Sequence, residues 1–257
     1  YESLSQSPEK ETSIQTYLRY VPAFIRDFSQ KKTPDSVVAY FLDLYQTYLL
    51  GENQKMDWDE VSSLSGTDMV HEQSLDPDCH SVGVDALSSL AVLKLNGGLG
   101  TSMGCSGPKS LIPVQKGRTF LDLIVEQMSY YRTHYQQEIP FILMNSAMTS
   151  ADTKQALKGR FEFTELMQHM FPRLDMRSKG RPPLSDEYCY NPPGHGDLYW
   201  ALMASGLLDD LLEKGIEYIF VSNSDNLGAT LDPRFLGMMV SNKLDFLMET
   251  TPKTLMD

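Results

Sequence analysis

Residues 90–110 read LAVLKLNGGLGTSMGCSGPKS, and this stretch decides the fold that the sequence predicts. Its first residues, 90–95, are mostly apolar and predict a short buried strand. Five glycines then fall within eleven residues, and Pro108 and Lys109 follow them. Glycine lets the backbone turn tightly toward a ligand, and consecutive backbone N–H groups can surround a phosphate. We therefore predict a phosphate-binding loop directly after a strand, with an ordinary mobile loop as the alternative.

This loop differs from the two best-known phosphate-binding loops. A P-loop requires Gly-Lys-Ser/Thr, whereas Pro108 separates Gly107 from Lys109 here. A dinucleotide-binding loop requires a helix that begins within G-x-G-x-x-G. In this chain Gly97 and Gly98 are adjacent, and Pro108 would interrupt such a helix. The sequence thus indicates a nucleotide-binding loop of another kind.

The chain around this loop alternates between predicted strands and predicted helices. Apolar runs predict further strands at residues 139–144, 218–222 and 244–251, and helical spacing predicts helices at residues 120–131, 149–157, 197–214 and 232–242. Strands that alternate with helices form a mostly parallel sheet covered on both faces, which is a three-layer α/β/α, Rossmann-like fold. Ligands bind such sheets beyond the carboxyl ends of the strands, where the glycine loop and residues 223–225 are expected to lie.

The N-terminal part of the sequence predicts helices that precede this core. Apolar residues recur at helical spacing over residues 14–28, where Pro22 is a candidate break, and over residues 37–49. The residues that follow are acidic and rich in turn formers, so we expect a connector with short helical pieces. We therefore predict a helical segment and connector over residues 1–88 and the core over residues 89–257.

Composition excludes several classes of protein. The 257 residues are enough to bury a sizeable core, and their net charge of −12 makes nucleic acid and anionic membranes poor partners. We find no apolar run of about 18 residues and no signal-peptide core at the polar start. Cys79, Cys105 and Cys189 lack C-x-x-C spacing, which argues against a disulfide framework or a structural zinc site and favours a cytoplasmic protein.

Two further blocks contain candidate site residues. Residues 218–229 read YIFVSNSDNLGA, and Asp225 follows the predicted strand. A carboxylate there is either a turn-forming residue or a ligand of a hard cation that also binds phosphate oxygens. Residues 190–199 read YNPPGHGDLY, a rigid turn in which His195 is expected to be accessible and Asp197 to cap the next helix. The remaining histidines are expected to be surface or packing residues: His71, His80, His134 and His169.

The pattern L-N-G-G-L-G-T-x-M-G-x-x-x-P-K-S at residues 95–110 resembles the signature loop of UTP–glucose-1-phosphate uridylyltransferases, also called UDP-glucose pyrophosphorylases. The two other blocks are similar to further motifs of this family and occur in the family's order. The resemblance covers most of residues 90–257. It implies the family's nucleotidyltransferase fold, with residues 89–257 as the catalytic core.

The resemblance also implies roles for single residues. It implies that the nucleotide is bound by Leu95, Asn96, Gly97, Gly98, Lys109, Gln168, Gly194, Asn223 and Asp225. It implies that the sugar phosphate is bound by Gly97, Gly98, His195, Asn223 and Asp225, that Lys109 is catalytic, and that Asp225 contacts Mg²⁺.

Gln168 enters through the segment QHMFPR at residues 168–173, which is similar to the family's Q-x-x-[YF]-P-R. The family's glutamine reads the uracil, and a glutamine amide has both the donor and the acceptor that uracil requires. A solvent-exposed glutamine is the alternative. The neighbouring residues differ from the Q-S pattern common in the family.

The activity implied by the resemblance is uridylyl transfer. Glucose 1-phosphate attacks the α-phosphorus of UTP in line, and UDP-glucose and pyrophosphate form reversibly. The attacking phosphate is already ionised, so alignment and charge neutralisation by Mg²⁺, Lys109 and the N–H groups of the loop replace a strong general base. We find no Ser-His-Asp or Cys-His arrangement in the sequence, and this mechanism requires none.

Three alternatives remain at this point. UDP-N-acetylhexosamine pyrophosphorylases usually have T-R-L-G in the loop, whereas residues 101–104 read TSMG, which favours the glucose enzyme. A UDP-sugar pyrophosphorylase of broad specificity is the second alternative, and a non-catalytic nucleotide-sugar-binding fragment is the third. The resemblance implies a later sugar-contacting segment, a second phosphate-binding lysine and a C-terminal β-helix that this sequence does not include. We therefore expect the chain alone to bind uridine nucleotides with little turnover.

Overall fold

The structure, a computed structural model, describes residues 8–51, 56–66, 69–100, 104, 107–180 and 189–251. Its α-helices are α1 (Pro8–Gln30), α2 (Asp35–Leu50), α3 (Asp78–Asp85), α4 (Phe120–Tyr135), α5 (Ser150–Leu157), α6 (Asp197–Ala204), α7 (Leu207–Glu213) and α8 (Pro233–Asn242). In the predicted connector, α3 and the 3₁₀ turns Trp58–Glu60 and Glu72–Ser74 confirm the short helical pieces.

Four parallel strands form the main sheet. The strands of the chain are β1 (Leu90–Asn96), β2 (Pro113–Gln115), β3 (Arg118–Thr119), β4 (Phe141–Asn145), β5 (Thr164–Met167), β6 (Phe171–Pro172), β7 (Tyr190–Asn191) and β8 (Tyr218–Asn223). The main sheet has the order β5-β4-β1-β8, and each neighbouring pair is parallel. Two small antiparallel pairs, β2 with β3 and β6 with β7, stand apart from it. The strand before the glycine loop therefore lies inside the sheet, between β4 and β8.

Apolar side chains cover both faces of the main sheet. Val92 and Leu143 lie on one face and belong to the cluster formed with α4, α5 and α8. Leu93 and Ile142 lie on the other face and pack with residues of α6 and α7. Helices on both faces of a parallel sheet confirm the three-layer α/β/α fold that the sequence predicts.

The N-terminal helices attach to this core through aromatic rings. Phe24 of α1 and Phe41 of α2 have ring centroids 5.2 Å apart. Phe41 also lies 5.4 Å from Phe171 of β6, and Tyr40 stacks on Trp200 of α6 at 4.4 Å. The helices α1 and α2 therefore pack beside the segments that follow Gln168 and Asp197.

Three predicted features differ from the structure, and the edge strand β5 of the main sheet was not predicted. Pro22 lies within α1 without ending it, because the carbonyl that it leaves unbonded is that of Leu18, a residue 64% exposed to water. The helix predicted over residues 197–214 is two helices, because Gly206 between them has a φ of +76°, outside the helical region. The strand predicted at residues 244–251 is wrong, since no described strand pairs with it to satisfy its backbone groups.

Helices α3 and α8 cross at two glycines. A Cβ atom on Gly83 would overlap the carbonyl of Pro233, and a Cβ atom on Gly237 would overlap the carbonyl of Cys79. The two backbones are therefore in direct contact, which only glycine permits at these positions. This contact fixes α8, and with it the end of the loop that connects β8 to α8.

No helix in the described ranges is both long and apolar enough to span a membrane.

Candidate nucleotide-binding site

The predicted site segments leave the main sheet at one edge, where the carboxyl ends of its strands meet. Asn96 at the end of β1 lies opposite Asn145 of β4, and Leu95 lies opposite Asn223 at the end of β8. Gln168 follows β5, and its N–H donates to the carbonyl of Asn145 at 2.7 Å. The glycine loop, the loop after β8 and Gln168 therefore occupy the edge where parallel sheets bind ligands.

The glycine loop folds back on itself as a narrow hairpin. The N–H of Gly100 donates to the carbonyl of Gly107 at 2.9 Å, and the N–H of Lys109 donates to the carbonyl of Gly98 at 3.1 Å. Of the residues between Gly100 and Gly107, only Gly104 is described. The hairpin returns Lys109 to the start of the loop, where its Cδ atom lies 3.8 Å from the position of a Cβ on Gly98.

Lys109 and Asp225 form an ion pair at this edge, although they are far apart in sequence. The Lys109 Nζ atom lies 3.4 Å from Asp225 Oδ2, and the two side chains are 33% and 35% exposed. An ion pair with this exposure contributes little to stability because water screens it. Both side chains therefore remain accessible to a ligand. The Lys109 ammonium is able to contact phosphate oxygens, and the Asp225 carboxylate is able to contact a metal ion.

Gln168 joins the two glycine segments on the other side of the edge. Its Nε2 atom donates to the carbonyl of Gly194 at 2.7 Å, and its side chain is almost fully buried. Its Oε1 atom lies 2.6 Å from the position of a Cβ on Gly97, so this glycine leaves room for the amide. Ser146 holds the same glycine through a 2.9 Å bond from its Oγ to the Gly97 carbonyl. The structure thus brings Gly97, Gly194 and Gln168 together, and the exposed alternative for Gln168 is wrong.

The turn before α6 and the end of β8 present further predicted residues to solvent. Gly194 has a φ of +113°, a conformation that glycine alone adopts without strain. His195 follows it and is exposed. Asn223 is also exposed, and its carbonyl accepts a 3.2 Å bond from the N–H of Asn226, which turns the chain after β8.

The side chains of Leu95 and Asn96 contact other parts of the protein. Leu95 packs against the cluster under α6 and α7, and its carbonyl accepts the N–H of Ser224 at 3.1 Å. Asn96 is 1% exposed, and its Nδ2 atom donates to Asn145 Oδ1 at 2.7 Å and to Thr153 Oγ1 at 3.0 Å. The side chains of both residues are used within the protein core, so their backbone atoms are the better candidates for contact with a nucleotide.

Asp197 is buried and forms a hydrogen-bonded pair with the partly buried His169, which the sequence prediction missed. The backbone N–H of His169 donates to Asp197 Oδ2 at 2.7 Å, and the Nδ1 atom of the His169 ring lies 2.8 Å from Asp197 Oδ1. The expectation that Asp197 caps α6 is wrong, whereas His169 is a partly buried residue that packs against Asp197, in keeping with the expectation of a surface or packing residue. The pair links the residue after Gln168 to the turn that contains Gly194, and no sequence motif indicated it.

Lys94 is a second residue that the sequence prediction missed. It lies in β1 and is only 3% exposed, although lysine is rarely buried without a charged partner. The available signal was one lysine within an otherwise apolar strand, LAVLKL at residues 90–95.

The described residues include no group of three or more His, Cys, Asp or Glu side chains that could hold a metal ion. Asp225 offers a single accessible carboxylate instead. Mg²⁺ is commonly bound by one or two carboxylates together with phosphate oxygens and water. The donor set therefore fits a divalent ion that arrives with a nucleotide, rather than one held by the protein alone.

The sequence matches the family described as UTP–glucose-1-phosphate uridylyltransferase over residues 38–257. The enzyme of that name from Musa acuminata is 42% identical over 229 residues, which are 84% of this chain and 48% of the relative. The enzyme from Saccharomyces cerevisiae is 42% identical over 228 residues, which are 84% of this chain and 45% of the relative. The chain spans about half the length of the curated relatives it matches.

Solved structures give the same result. A mutant UDP-glucose pyrophosphorylase from Leishmania major, in complex with UDP-glucose, is 36% identical and matches with a TM-score of 0.83 over 91% of this chain and 50% of its own. A UDP-glucose phosphorylase from Trypanosoma brucei is 35% identical and matches with a TM-score of 0.76 over 88% of this chain and 49% of its own. With its three motifs, its α/β/α core and these relatives, the chain belongs to the UTP–glucose-1-phosphate uridylyltransferase family.

Proposed function

We propose that this chain binds UTP across its glycine loop and takes part in uridylyl transfer to glucose 1-phosphate, which forms UDP-glucose and pyrophosphate. The observation that carries the proposal is the 3.4 Å contact between Lys109 Nζ and Asp225 Oδ2 beside Gly98. Nucleotidyl transfer needs positive charge on the phosphate oxygens and a carboxylate for a divalent ion, and these two side chains supply both.

Recognition of uracil is assigned to Gln168 and Gly194, which lie near Gly97, whereas Lys109 lies near Gly98. The Gln168 Nε2 atom already donates to the Gly194 carbonyl, whereas its Oε1 atom accepts no hydrogen bond from the described residues. That oxygen is a suitable acceptor for the N–H of uracil. The buried position of the amide supports specificity, because a base without the matching N–H would leave it unpaired.

The chemistry proposed for the site requires positioning rather than a proton acceptor. A phosphate oxygen of glucose 1-phosphate forms a bond to the α-phosphorus of UTP, and the bond from that phosphorus to the bridging β-phosphate oxygen breaks. The electron pair of the broken bond leaves with pyrophosphate. Lys109 and the N–H groups of the glycine loop stabilise the charge on the phosphate oxygens, and Gly97, Gly98, His195 and Asn223 are proposed to hold the sugar phosphate.

Asp225 is the residue that we propose to hold Mg²⁺. When bound, the ion neutralises charge on the phosphate oxygens. Leu95 and Asn96 are proposed to contact the nucleotide through their backbone atoms. We further propose residues 89–257 as the catalytic core, residues 1–88 as a helical segment that supports it, and a cytoplasmic location, which the sparse cysteines favour.

Two measurements test this function separately. Calorimetry with UTP and Mg²⁺ is expected to show binding, with weaker binding of CTP and ATP. A pyrophosphate-release assay with UTP and a panel of sugar 1-phosphates is expected to respond most to glucose 1-phosphate. A folded protein with no affinity for UTP would contradict the proposal. A preference for N-acetylhexosamine 1-phosphate would contradict glucose 1-phosphate as the sugar substrate.

Asp225→Asn is expected to raise the Mg²⁺ concentration required for UTP binding. The amide has the shape of the carboxylate but lacks the charge that attracts the ion. We expect the half-saturating Mg²⁺ concentration to rise about tenfold or more, which corresponds to a loss of about 1.4 kcal/mol or more of binding free energy. The measurement is a Mg²⁺ titration of UTP binding by calorimetry.

Asp209→Asn is the matched control, because Asp209 is an exposed carboxylate on α7. Its Mg²⁺ titration is expected to follow that of the unsubstituted protein. An unchanged Mg²⁺ requirement in Asp225→Asn would show that Asp225 only turns the chain after β8.

Gln168→Ala is expected to reduce the preference for UTP over CTP. The substitution removes the amide that faces the base, so UTP affinity should fall about tenfold, the effect of one net hydrogen bond of about 1.4 kcal/mol. CTP affinity should change less, because CTP does not present the N–H that Gln168 Oε1 would accept. Calorimetry with both nucleotides measures the ratio, and Gln155→Ala on the exposed side of α5 is the control. A ratio that stays constant would remove Gln168 from base recognition.

A further inference from the structure

Lys94 is a buried cation without a carboxylate partner among the described residues. Its Nζ atom donates to Ser222 Oγ at 2.6 Å and to the carbonyl of Ala229 at 3.0 Å. The ammonium also lies 5.4 Å from the centre of the Phe220 ring. Burial lowers the pKa of Lys94 to about 8, so the charged form is disfavoured where it lies. Burial of the charged Lys94 side chain therefore costs folding free energy.

The two acceptors of Lys94 lie at the ends of the segment that contains Asn223 and Asp225. Ser222 is in β8, directly before this segment, and Ala229 is in the loop that follows. Lys94 thus connects the two ends of the segment, because it donates one hydrogen bond to the residue before the segment and one to the loop after it. The lysine is itself on β1, the strand that continues into the glycine loop.

Side chains of α4 hold the same loop at two neighbouring points. Gln127 Nε2 donates to the carbonyl of Leu227 at 3.2 Å, and the N–H of Leu231 donates to Tyr131 Oη at 3.0 Å. With the bond from Lys94 to Ala229, the loop is held at three alternate residues. Unlike Gln127 and Tyr131, Lys94 also bonds to β8 through Ser222, and its side chain is ionisable to a cation.

We propose that Lys94 is a positioning residue of the nucleotide site, which holds the loop after β8 so that Asp225 faces Lys109. This inference rests on the proposed function, since it assigns the site to UTP. The bonds to Ser222 and Ala229 fix the segment that contains Asp225 relative to β1. The glycine loop, which contains Lys109, begins at the end of the same strand. A displacement of about 1 Å in such a group is enough to weaken a reaction about a hundredfold.

A lysine retained only for packing predicts a different behaviour from a positioning lysine. A packing role predicts that replacement by an apolar side chain of similar length lowers stability alone. Lys94→Met removes a buried charge, but it also leaves the Ala229 carbonyl and Ser222 Oγ without their donor, so stability by itself does not separate the two roles. The affinity of the folded protein for UTP separates them, because only a positioning role predicts that it falls.

The experiment compares Lys94→Met with Lys214→Met, the same change at an exposed lysine at the end of α7, the helix that precedes β8. Thermal unfolding is measured for each, with UTP affinity by calorimetry at saturating Mg²⁺. At a temperature well below the Tm of each variant, we expect Lys94→Met to bind UTP about tenfold more weakly and Lys214→Met to bind normally. Normal UTP binding by folded Lys94→Met overturns the inference.

Ser222→Ala provides a second variant that keeps the lysine. It removes one of the two bonds, so UTP affinity should fall, and it should have no further effect when combined with Lys94→Met. Additive effects of the two substitutions would also overturn the inference. If the unsubstituted protein shows no UTP binding, the proposed function fails and this inference fails with it, whereas equal binding by all variants rejects the inference alone.

Discussion

Lys109→Ala is expected to lower the rate of uridylyl transfer by about a hundredfold or more while the fold stays intact. Loss of one fixed charge at the reacting phosphates costs about 3 kcal/mol of transition-state stabilisation, which corresponds to this change in rate. The backbone of Lys109 holds the glycine hairpin through its N–H and is not altered by the substitution. The side chain is a third exposed, so its removal leaves no cavity in the core.

Pyrophosphate release from UTP and glucose 1-phosphate measures this effect in a full-length background, because little turnover is expected of the chain alone, and thermal unfolding is the check on the fold. Lys158→Ala is the matched control, because Lys158 is exposed at the end of α5, away from the loop. The control should keep both its rate and its Tm. Near-normal turnover by Lys109→Ala would remove this lysine from the mechanism, and an equal loss in both variants would point to a general effect of lysine charge.

Gly237→Ala is expected to destabilise the protein by about 3 kcal/mol, at the upper end of the cost of overpacking a core. The added Cβ atom would overlap the backbone carbonyl of Cys79, and a backbone atom cannot move aside as a flexible side chain can. Helices α3 and α8 must therefore separate or shift along each other. Such a loss corresponds to a fall in Tm of roughly 6–12 °C for a protein of this size.

Gly66→Ala is the control for this prediction. A Cβ atom on Gly66 would meet nothing within 4 Å, and the residue does not have a positive φ. Its effect should lie within about 0.5 kcal/mol, as for other surface substitutions. Equal Tm values for Gly237→Ala and Gly66→Ala in thermal unfolding would show that the crossing of α3 and α8 adjusts freely.

The sequence by itself determined the order and type of most main elements, although it did not predict β5, an edge strand of the main sheet. Apolar runs and helical spacing are properties of short segments, so they identified β1, β4, β8 and most of the helices without tertiary information. The alternation of these elements was enough to predict a parallel sheet with helices on both faces. The glycine motif and the two other blocks were enough to predict the family, which the comparisons confirmed.

Local pattern was insufficient where a residue's environment comes from distant segments. The strand predicted at residues 244–251 has the composition of a strand but no neighbour to pair with. Asn96 belongs to the glycine motif, yet its side chain is used in a buried contact with Asn145 of the next strand. Such outcomes depend on which strands become neighbours, and a single segment does not contain that information.

Only the tertiary structure brought the candidate site together. Lys109 and Asp225 are separated by 116 residues, and they meet because β1 and β8 are adjacent in the sheet. Gln168 reaches Gly194 because β5 and the turn before α6 end at the same edge. The pairing of His169 with Asp197 and the burial of Lys94 have no motif, because they arise from side chains that share a space only after the strands have assembled.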